Sequence, residues 1–369
     1  MNVALVQSTP LPPAEGIGNH TLNLARQLRR KDHDVHLFTR GNWTGSKDTI
    51  DGFPTTRPAC PPLYPFHAHI HRLPLERAIA QEGPFDIIHL HSPLVPFPKL
   101  ECPTVVTIHT SIGADIDSVP KNVPGYRFIQ LQAPFSKAIE RDLLEKADAV
   151  TCVSTSMKKI IKDSYDRPID VVHNGVDIDE FEYKNNIREK NSLLYIGRLG
   201  TRKGIPRLLS MAQELVDRDI AFKLRIAGKG PLEDKMQQMI SEHQLENHVE
   251  FLGFVERDEL LRLLQKTTIF VHLPEFEGLP TTVIEAMASA TPVLVTDVPG
   301  CRDLIQQDKD GKLVPKNDID RIASEVINLL ENSEKRQRMG QMARKSVEQN
   351  FDWERIATEY VNVYQRVVV

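Results

Sequence analysis

The chain has 369 residues, of which 40% are hydrophobic and 26% charged, and its formal net charge is −4. This length exceeds the ~250–300 residues at which single cores stop growing, so a globular protein of two domains is expected. The near-balance of charge argues against a protein that coats nucleic acid, and no apolar run reaches the ~18–20 residues that cross a bilayer. Four scattered cysteines and a start unlike a secretory signal predict a cytoplasmic protein without a zinc knuckle or a disulfide framework.

Apolar runs alternate with amphipathic stretches through the first half of the chain. We expect strands at 3–6, 35–38, 87–90, 104–108 and 149–153, and a helix at 19–30. The proline-rich stretch 53–75 predicts a long irregular loop. Continuous apolar strands separated by helices imply a parallel sheet that is covered on both faces.

The alternation restarts after His173. Strands are expected at 192–196, 223–227, 249–252, 269–272 and 292–295, with helices at 206–217, 232–243, 256–264, 282–288 and 319–331. Asp318 is the predicted N-cap of the last of these helices, and a final helix is expected over 351–369. Because ligands bind at the carboxyl ends of strands in open α/β sheets, we expect two such domains that face each other across a cleft.

Gly16-Ile17-Gly18 follows the first strand and precedes a helix, where backbone N–H groups can approach an anion. Thr21 stands where a dinucleotide fingerprint requires its third glycine, and the loop is too long for that tight turn, so NAD is not expected. A flexible loop without a ligand is the alternative interpretation.

The second domain opens with a strand, Gly197 and two cations five positions apart, Arg198 and Lys203. This pattern suits a diphosphate, because arginine offers a planar fork of donors and lysine a point charge. The spacing is not that of a P-loop, and a solvated basic loop is the alternative.

The segment 274–288 is the most informative. Glu277 lies in a turn after a strand, Gly278-Leu279-Pro280-Thr281 leads into a helix, and Glu285 follows on that helix. A helix N-terminus attracts an anion, whereas ionised carboxylates accept strongly from hydroxyl groups. A phosphate flanked by polyhydroxylated groups describes a sugar nucleotide. The alternative is that both glutamates face solvent.

His109 ends a strand, where a histidine can donate to a sugar hydroxyl or to a transferring oxygen, although a structural histidine is the alternative. His89 and His91 are expected to face opposite sides of their strand and to form a poor metal pair. The three Asp-Ile-Asp triplets are candidate metal ligands. Asp318 is better explained as a helix cap, and Asp115 is expected in a loop, so no metal is predicted.

Together these motifs resemble the family 4 glycosyltransferases, retaining sugar-nucleotide-dependent enzymes with the two-Rossmann-domain GT-B fold. The resemblance rests on Glu277-Gly-Leu-Pro followed by Glu285-Ala-Met-Ala, on Tyr-Ile-Gly-Arg198 followed by Lys203-Gly, and on the junction segment 173–181. It implies an α/β fold with a Rossmann-like acceptor-side domain at 1–173 plus 352–369. It also implies a Rossmann-like domain that binds the nucleotide sugar at 174–351.

The resemblance implies a role for each matching residue. Arg198 and Lys203 would bind the donor diphosphate, Glu277 would hold the transferred sugar, and Glu285 would bind the ribose. The other implied contacts are Gly16 and Gly18 at the phosphate, His109 over the sugar, the backbone near Gly253 and Phe254 at the base, and the backbone around Gly278, Leu279, Pro280 and Thr281 at the phosphate or sugar. Glu277, His109, Arg198 and Lys203 form the expected catalytic set, and members need neither a metal nor another cofactor.

Two positions depart from the family pattern: Ala290 stands where glycine is common, and the first loop reads Gly16-Ile-Gly18 instead of a glycine pair. The expected partners are a nucleotide-sugar donor and a glycan, lipid-linked or small-molecule hydroxyl acceptor. A sugar-nucleotide epimerase or phosphorylase of the same fold and a non-catalytic sugar-nucleotide-binding subunit are the alternatives. The basic and apolar stretch 156–162 is either a peripheral contact at the inner face of the membrane or a solvated helix face.

Overall fold

The computed structural model describes residues 1–9, 11, 16–61, 67–117, 119, 126–163, 165–182 and 188–368. The chain divides into two compact units, Met1–Asn174 with Trp353–Val369, and Gly175–Asp352. Each unit has its own sheet and its own hydrophobic core. The chain therefore folds as two α/β units, and its last helix returns to the first of them.

Unit 1 is built on an eight-stranded sheet of order β3-β4-β2-β1-β5-β6-β7-β8, in which only the β3–β4 pair is antiparallel. The strands are β1 Asn2–Gln7, β2 Asp34–Phe38, β3 Ser46–Ile50, β4 Phe53–Arg57, β5 Ile87–His91, β6 Thr104–Ile108, β7 Ala149–Cys152 and β8 Ile169–Val171. The helices of this unit are α1 Gly16–Arg30, α2 His67–Glu82, α3 Ile112–Asp117, α4 Tyr126–Lys146, α5 Thr155–Lys162 and α13 Trp353–Val367.

Two expectations for the secondary structure of unit 1 were wrong. The stretch 53–75 contains strand β4 and the start of α2, with residues 62–66 outside the described part of the chain. Asp115 lies in helix α3 and not in a loop. The partner of β4 in the hairpin, β3, is exposed over most of its length, so its sequence has no apolar pattern to indicate a strand.

Unit 2 is built on a six-stranded parallel sheet of order β11-β10-β9-β12-β13-β14. Its strands are β9 Ser192–Ile196, β10 Lys223–Ala227, β11 Val249–Gly253, β12 Ile269–His272, β13 Val293–Thr296 and β14 Lys312–Val314. Its helices are α6 Ile205–Asp217, α7 Glu233–Glu242, α8 Arg257–Lys266, α9 Thr281–Ala288, α10 Pro299–Arg302, α11 Ile319–Glu331 and α12 Ser333–Asn350.

The strand order reverses between β9 and β12 in unit 2 and between β1 and β5 in unit 1. Such a reversal opens a crevice at the carboxyl ends of the two strands, which is where open α/β sheets bind ligands. The loops after β9 and β12 hold the cationic motif and the glutamate motif. The sheet topology therefore brings two distant sequence motifs to one place.

Helix ends follow local chemistry. Asp318 accepts a hydrogen bond from the backbone N–H of Arg321 at 2.9 Å, which confirms it as the N-cap of α11.

In α5 the apolar side chains of Met157 and Ile161 are buried, so this helix presents its lysines and not an apolar face. Among the described residues, none of the helices combines the length and the hydropathy that a membrane crossing requires.

Candidate functional site

The loop between β9 and α6 lies directly against the chain that follows β12. Gly204 has a φ of +73°, and a Cβ atom at this position would lie 1.7 Å from the carbonyl oxygen of Leu273. Only glycine adopts this left-handed conformation with the carbonyl so close. The close approach fixes Lys203, the residue before it, beside the end of β12.

Glu277 is the centre of the polar contacts at the end of β12. Its Oε1 accepts a hydrogen bond from Lys203 Nζ at 2.6 Å and another from His272 Nε2 at 2.9 Å. Burial by itself would raise the pKa of this carboxyl, but Lys203 and His272 outweigh burial and hold the pKa at about 2. Glu277 is therefore a buried, permanently ionised carboxylate.

His272 was missed by the sequence interpretation. It is the last residue of β12, and burial lowers its pKa despite the neighbouring Glu277 carboxylate. A neutral His272 must carry its proton on Nε2, because an ionised carboxylate only accepts. The signal available in the sequence was its place at the carboxyl end of a buried strand, five residues before Glu277.

The turn after Glu277 leads into the N-terminus of α9. The backbone N–H of Gly300 donates to the carbonyl of Glu277 at 3.1 Å, and a Cβ at Gly300 would lie 2.3 Å from the carbonyl oxygen of Gly278. This packing fixes the turn that contains Gly278, Leu279 and Pro280 and opens α9 at Thr281. The first N–H groups of a helix lack partners within it and attract an anion.

Glu285 lies on α9 and forms an ion pair that the sequence did not suggest. Its Oε1 accepts from Arg257 Nη1 at 2.5 Å. Burial raises the pKa of Glu285, and Arg257 opposes that shift. Neither Glu277 nor Glu285 faces solvent freely. The alternative interpretation, in which both glutamates face solvent, is therefore wrong.

The end of β11 offers an exposed aromatic ring. Gly253, the last residue of β11, has a φ of +67°, and the Phe254 side chain after it is 51% exposed. Lys229 Nζ lies 5.9 Å from the centroid of that ring. The contact of the backbone at Gly253 and Phe254 with a base stays a prediction.

Arg198 lies two residues after the end of β9 and is exposed, and its carbonyl accepts from the Tyr195 hydroxyl at 3.1 Å. Ala290 has a φ of +52° just after α9, where glycine would adopt the left-handed conformation without cost. Its backbone N–H nevertheless donates to the carbonyl of Met287, so the end of the helix keeps its form.

In unit 1 the structure gathers three buried histidines. His91 Nδ1 and His109 Nε2 lie 3.1 Å apart, and one ring nitrogen from each of His20, His91 and His109 lies within 4.8 Å of the others. Burial lowers the pKa of His109 to about 3, and burial also lowers the pKa of His20 and His91. All three rings are therefore neutral near pH 7.

The expectation that His89 and His91 face opposite ways was wrong. Their ring centroids are 4.1 Å apart, because residues two apart on a strand share one face. His91 and His109 already hydrogen-bond each other, so a metal at the three-histidine group would have to break that bond. The absence of a metal remains a prediction from the sequence.

Gly16 and Gly18 form the first turn of α1, and residues 12–15 of the loop before them lie outside the described part of the chain. Thr21, in the second turn, donates to Gln7 at the end of β1 at 3.0 Å. The helix start is thereby held at the carboxyl end of β1, beside the switch point of the sheet.

Helix α13 packs behind the histidines and supports them. The hydroxyl groups of Tyr364 and Tyr360 contact His89 Nδ1 at 2.7 Å and His20 Nε2 at 3.4 Å, and His89 Nε2 bonds the Thr107 hydroxyl at 2.7 Å. All of these groups are buried. The last helix of the chain is thus part of the support of the histidine group.

We expect Tyr364→Phe to lower the free energy of unfolding by about 1–3 kcal/mol, because it leaves the buried Nδ1 of His89 without its partner. Urea unfolding should show a lower midpoint with an unchanged slope. A double-mutant cycle with His89→Phe is the control. Additive effects of the two substitutions would contradict a direct interaction.

Two α/β units, each built on a sheet that is parallel or largely parallel and that has polar residues at its switch point, have the architecture of the GT-B transferases. The family model described as "Glycosyltransferase Family 4" matches residues 14–180, and the model described as "Glycosyl transferases group 1" matches residues 177–346. A glycosyltransferase of Methanocaldococcus jannaschii is 30% identical over 99% of this chain and 98% of its own. The chain therefore belongs to the family 4 glycosyltransferases.

Solved structures show the same fold. Sucrose-phosphate synthase from Thermosynechococcus elongatus superposes with a TM-score of 0.86 at 20% identity, covering 99% of this chain and 98% of that one. Anabaena HepE, solved with UDP and glucose, gives a TM-score of 0.75 at 16% identity and covers 99% of each chain. The predicted GT-B fold is thus confirmed, and the protein is a glycosyltransferase.

Proposed function

We propose that this glycosyltransferase moves a sugar from a nucleotide-sugar donor to a hydroxyl group of its acceptor, with retention at the anomeric carbon. The observation that carries the proposal is the buried, ionised Glu277 held by Lys203 and His272 beside the N-terminus of α9. A fixed carboxylate accepts sugar hydroxyls, and the adjacent cation and helix N-terminus favour a diphosphate. HepE, whose crystals contain UDP and glucose, is an example of the fold with such ligands.

Arg198 and Lys203 would neutralise the charge that develops on the departing diphosphate. Lys203 uses one of its three N–H donors on Glu277, which leaves two for phosphate oxygens. The bond between the anomeric carbon and the diphosphate oxygen breaks, and its electron pair leaves with the diphosphate. The acceptor oxygen bonds the same face of that carbon and passes its proton to the departing phosphate. No metal is needed for this scheme.

The remaining residues would bind the donor. Glu285 would accept from the ribose hydroxyls, Phe254 would stack on the base, and Gly16 and Gly18 would contribute backbone donors to the phosphate. His109 would hydrogen-bond the sugar as a neutral ring, because a group with a pKa of about 3 is a poor proton acceptor at neutral pH.

A donor panel tests the proposal. UDP-, GDP- and ADP-linked sugars are incubated with glycan, lipid-linked and small hydroxyl acceptors while release of nucleoside diphosphate is followed. We expect acceptor-dependent release that survives EDTA, a product with the donor's anomeric configuration, and loss of release in Glu277→Gln. Conversion of the donor without an acceptor would instead indicate an epimerase. Donor binding without turnover in any combination would indicate a non-catalytic subunit.

A further inference from the structure

Arg257 is a charged residue that no motif singled out, and it joins two carboxylates of unit 2. Its Nη1 donates to Glu285 Oε1 at 2.5 Å, while Nη2 and Nε reach Glu180 Oε2 at 2.5 and 3.1 Å. Its guanidinium carbon also lies 5.1 Å from the centre of the buried Phe181 ring. One guanidinium nitrogen of Arg257 therefore holds Glu285, while the other two nitrogens are anchored by Glu180.

The position of Arg257 conflicts with the preference of its own helix. It is the first residue of α8, where the helix dipole favours negative charge, and the next two residues are Asp258 and Glu259. A residue that breaks a local rule without a local gain marks a functional position. The gain lies instead in the contact with Glu285, 28 residues along the chain.

Arg257 engages one of the two carboxylate oxygens of Glu285. The Glu285 side chain is 12% exposed, and among the described residues the hydrogen bond of its carboxylate is the one between Oε1 and Arg257. Its second oxygen, Oε2, is left available to accept. An ionised carboxylate has about four lone-pair sites, so an arginine on one oxygen leaves room for hydroxyl groups on the other.

We propose that Arg257 is a positioning residue for the donor nucleoside, which orients Glu285 and keeps it charged so that its free oxygen accepts from the ribose hydroxyls. This inference rests on the proposed function, in which Glu285 meets the ribose. Arg257 then contributes to nucleotide affinity through Glu285 without touching the diphosphate.

Charge state provides a second consequence. Burial raises the pKa of Glu285 and the nearby Glu180 carboxylate adds to that rise, whereas Arg257 is the group that opposes it. In Arg257→Ala the pKa of Glu285 moves further up, so a fall in pH protonates the acceptor sooner. Ribose binding in that variant should therefore weaken more steeply toward acid pH than in the wild type.

The test measures calorimetric dissociation constants for UDP, GDP and ADP, and for the 2′,3′-dideoxy form of whichever binds most tightly. The wild type should prefer the ribose form by about tenfold, the value of a hydrogen bond to a charged group. Arg257→Ala should lose most of that preference, and more of it at about pH 6 than at about pH 8. Arg257→Lys should restore part of it.

Arg218 is the matched control, because it also bridges two carboxylates of unit 2, Glu214 at 2.8 Å and Asp320 at 2.6 Å. Arg218→Ala should keep the ribose preference of the wild type. Unchanged or tighter binding in Arg257→Ala, or an equal loss for the ribose and dideoxy forms, would overturn the inference. A wild type that binds none of the nucleotides would overturn the proposed function, and this inference with it.

Discussion

Replacing Lys203 by alanine is expected to reduce the rate of nucleoside diphosphate release by about 10²–10³-fold at saturating donor, the usual cost of removing one electrostatic donor from a transfer site. The substitution removes the cation that would meet the departing diphosphate. It also leaves the buried Glu277 carboxylate with His272 as its remaining hydrogen-bond partner among the described residues. The pKa of Glu277 should then rise, which weakens its hold on the sugar.

Initial rates across the donor panel measure this effect, and urea unfolding shows whether the fold survives. Lys203→Met is the companion variant, since it keeps an apolar stem and removes the ammonium group with its charge and its N–H donors. Lys266→Ala is the control, because this lysine faces Glu189 at 3.9 Å on the surface of the same unit. A Lys203→Ala enzyme that retains most of the wild-type rate would contradict the assignment of the cation.

Gly204→Ala is expected to lower the free energy of unfolding by about 3 kcal/mol or more, from the left-handed backbone and the added atom in a packed position. A Cβ atom in its ideal position would lie 1.7 Å from the carbonyl oxygen of Leu273, so that carbonyl would have to move. Any adjustment displaces Lys203, the neighbouring residue. We therefore expect transferase activity to fall together with stability.

The same loop supplies the control. Gly200 has a φ of −120°, and a Cβ at this position meets nothing within 4 Å. Gly200→Ala should unfold at nearly the wild-type urea concentration. Equal midpoints for Gly200→Ala and Gly204→Ala would contradict the prediction. They would show that the close approach to Leu273 does not require glycine at position 204.

Much of the fold follows from local patterns. The strands at Thr104–Ile108, Ser192–Ile196, Lys223–Ala227 and Ile269–His272 begin and end at the predicted residues, because each is a short apolar run between polar segments. The exposed strand Ser46–Ile50 and the polar helix Ser333–Asn350 were missed. Their sequences lack the apolar periodicity on which such predictions depend.

The candidate site was predicted as a list of residues and not as an arrangement. The roles of Glu277, Glu285, Arg198 and Lys203 remain proposals. The sheet explains why Arg198, Lys203 and Glu277 lie in the loops after β9 and β12, and Glu285 lies on helix α9. His272 at a strand end and Arg257 at a helix start were not singled out, because such positions also occur in proteins without a functional role. Their significance comes from partners that the fold brings to them.

The sequence by itself determined the class of fold and the family of this protein, because apolar periodicity and motif spacing are properties of neighbouring residues. Only the tertiary structure decided the charge states. Lys203 and Glu277 are 74 residues apart in the chain, and their contact in a buried place is what holds the carboxyl pKa at about 2. A pKa depends on burial and on nearby charges, and both are fixed only when distant segments pack together.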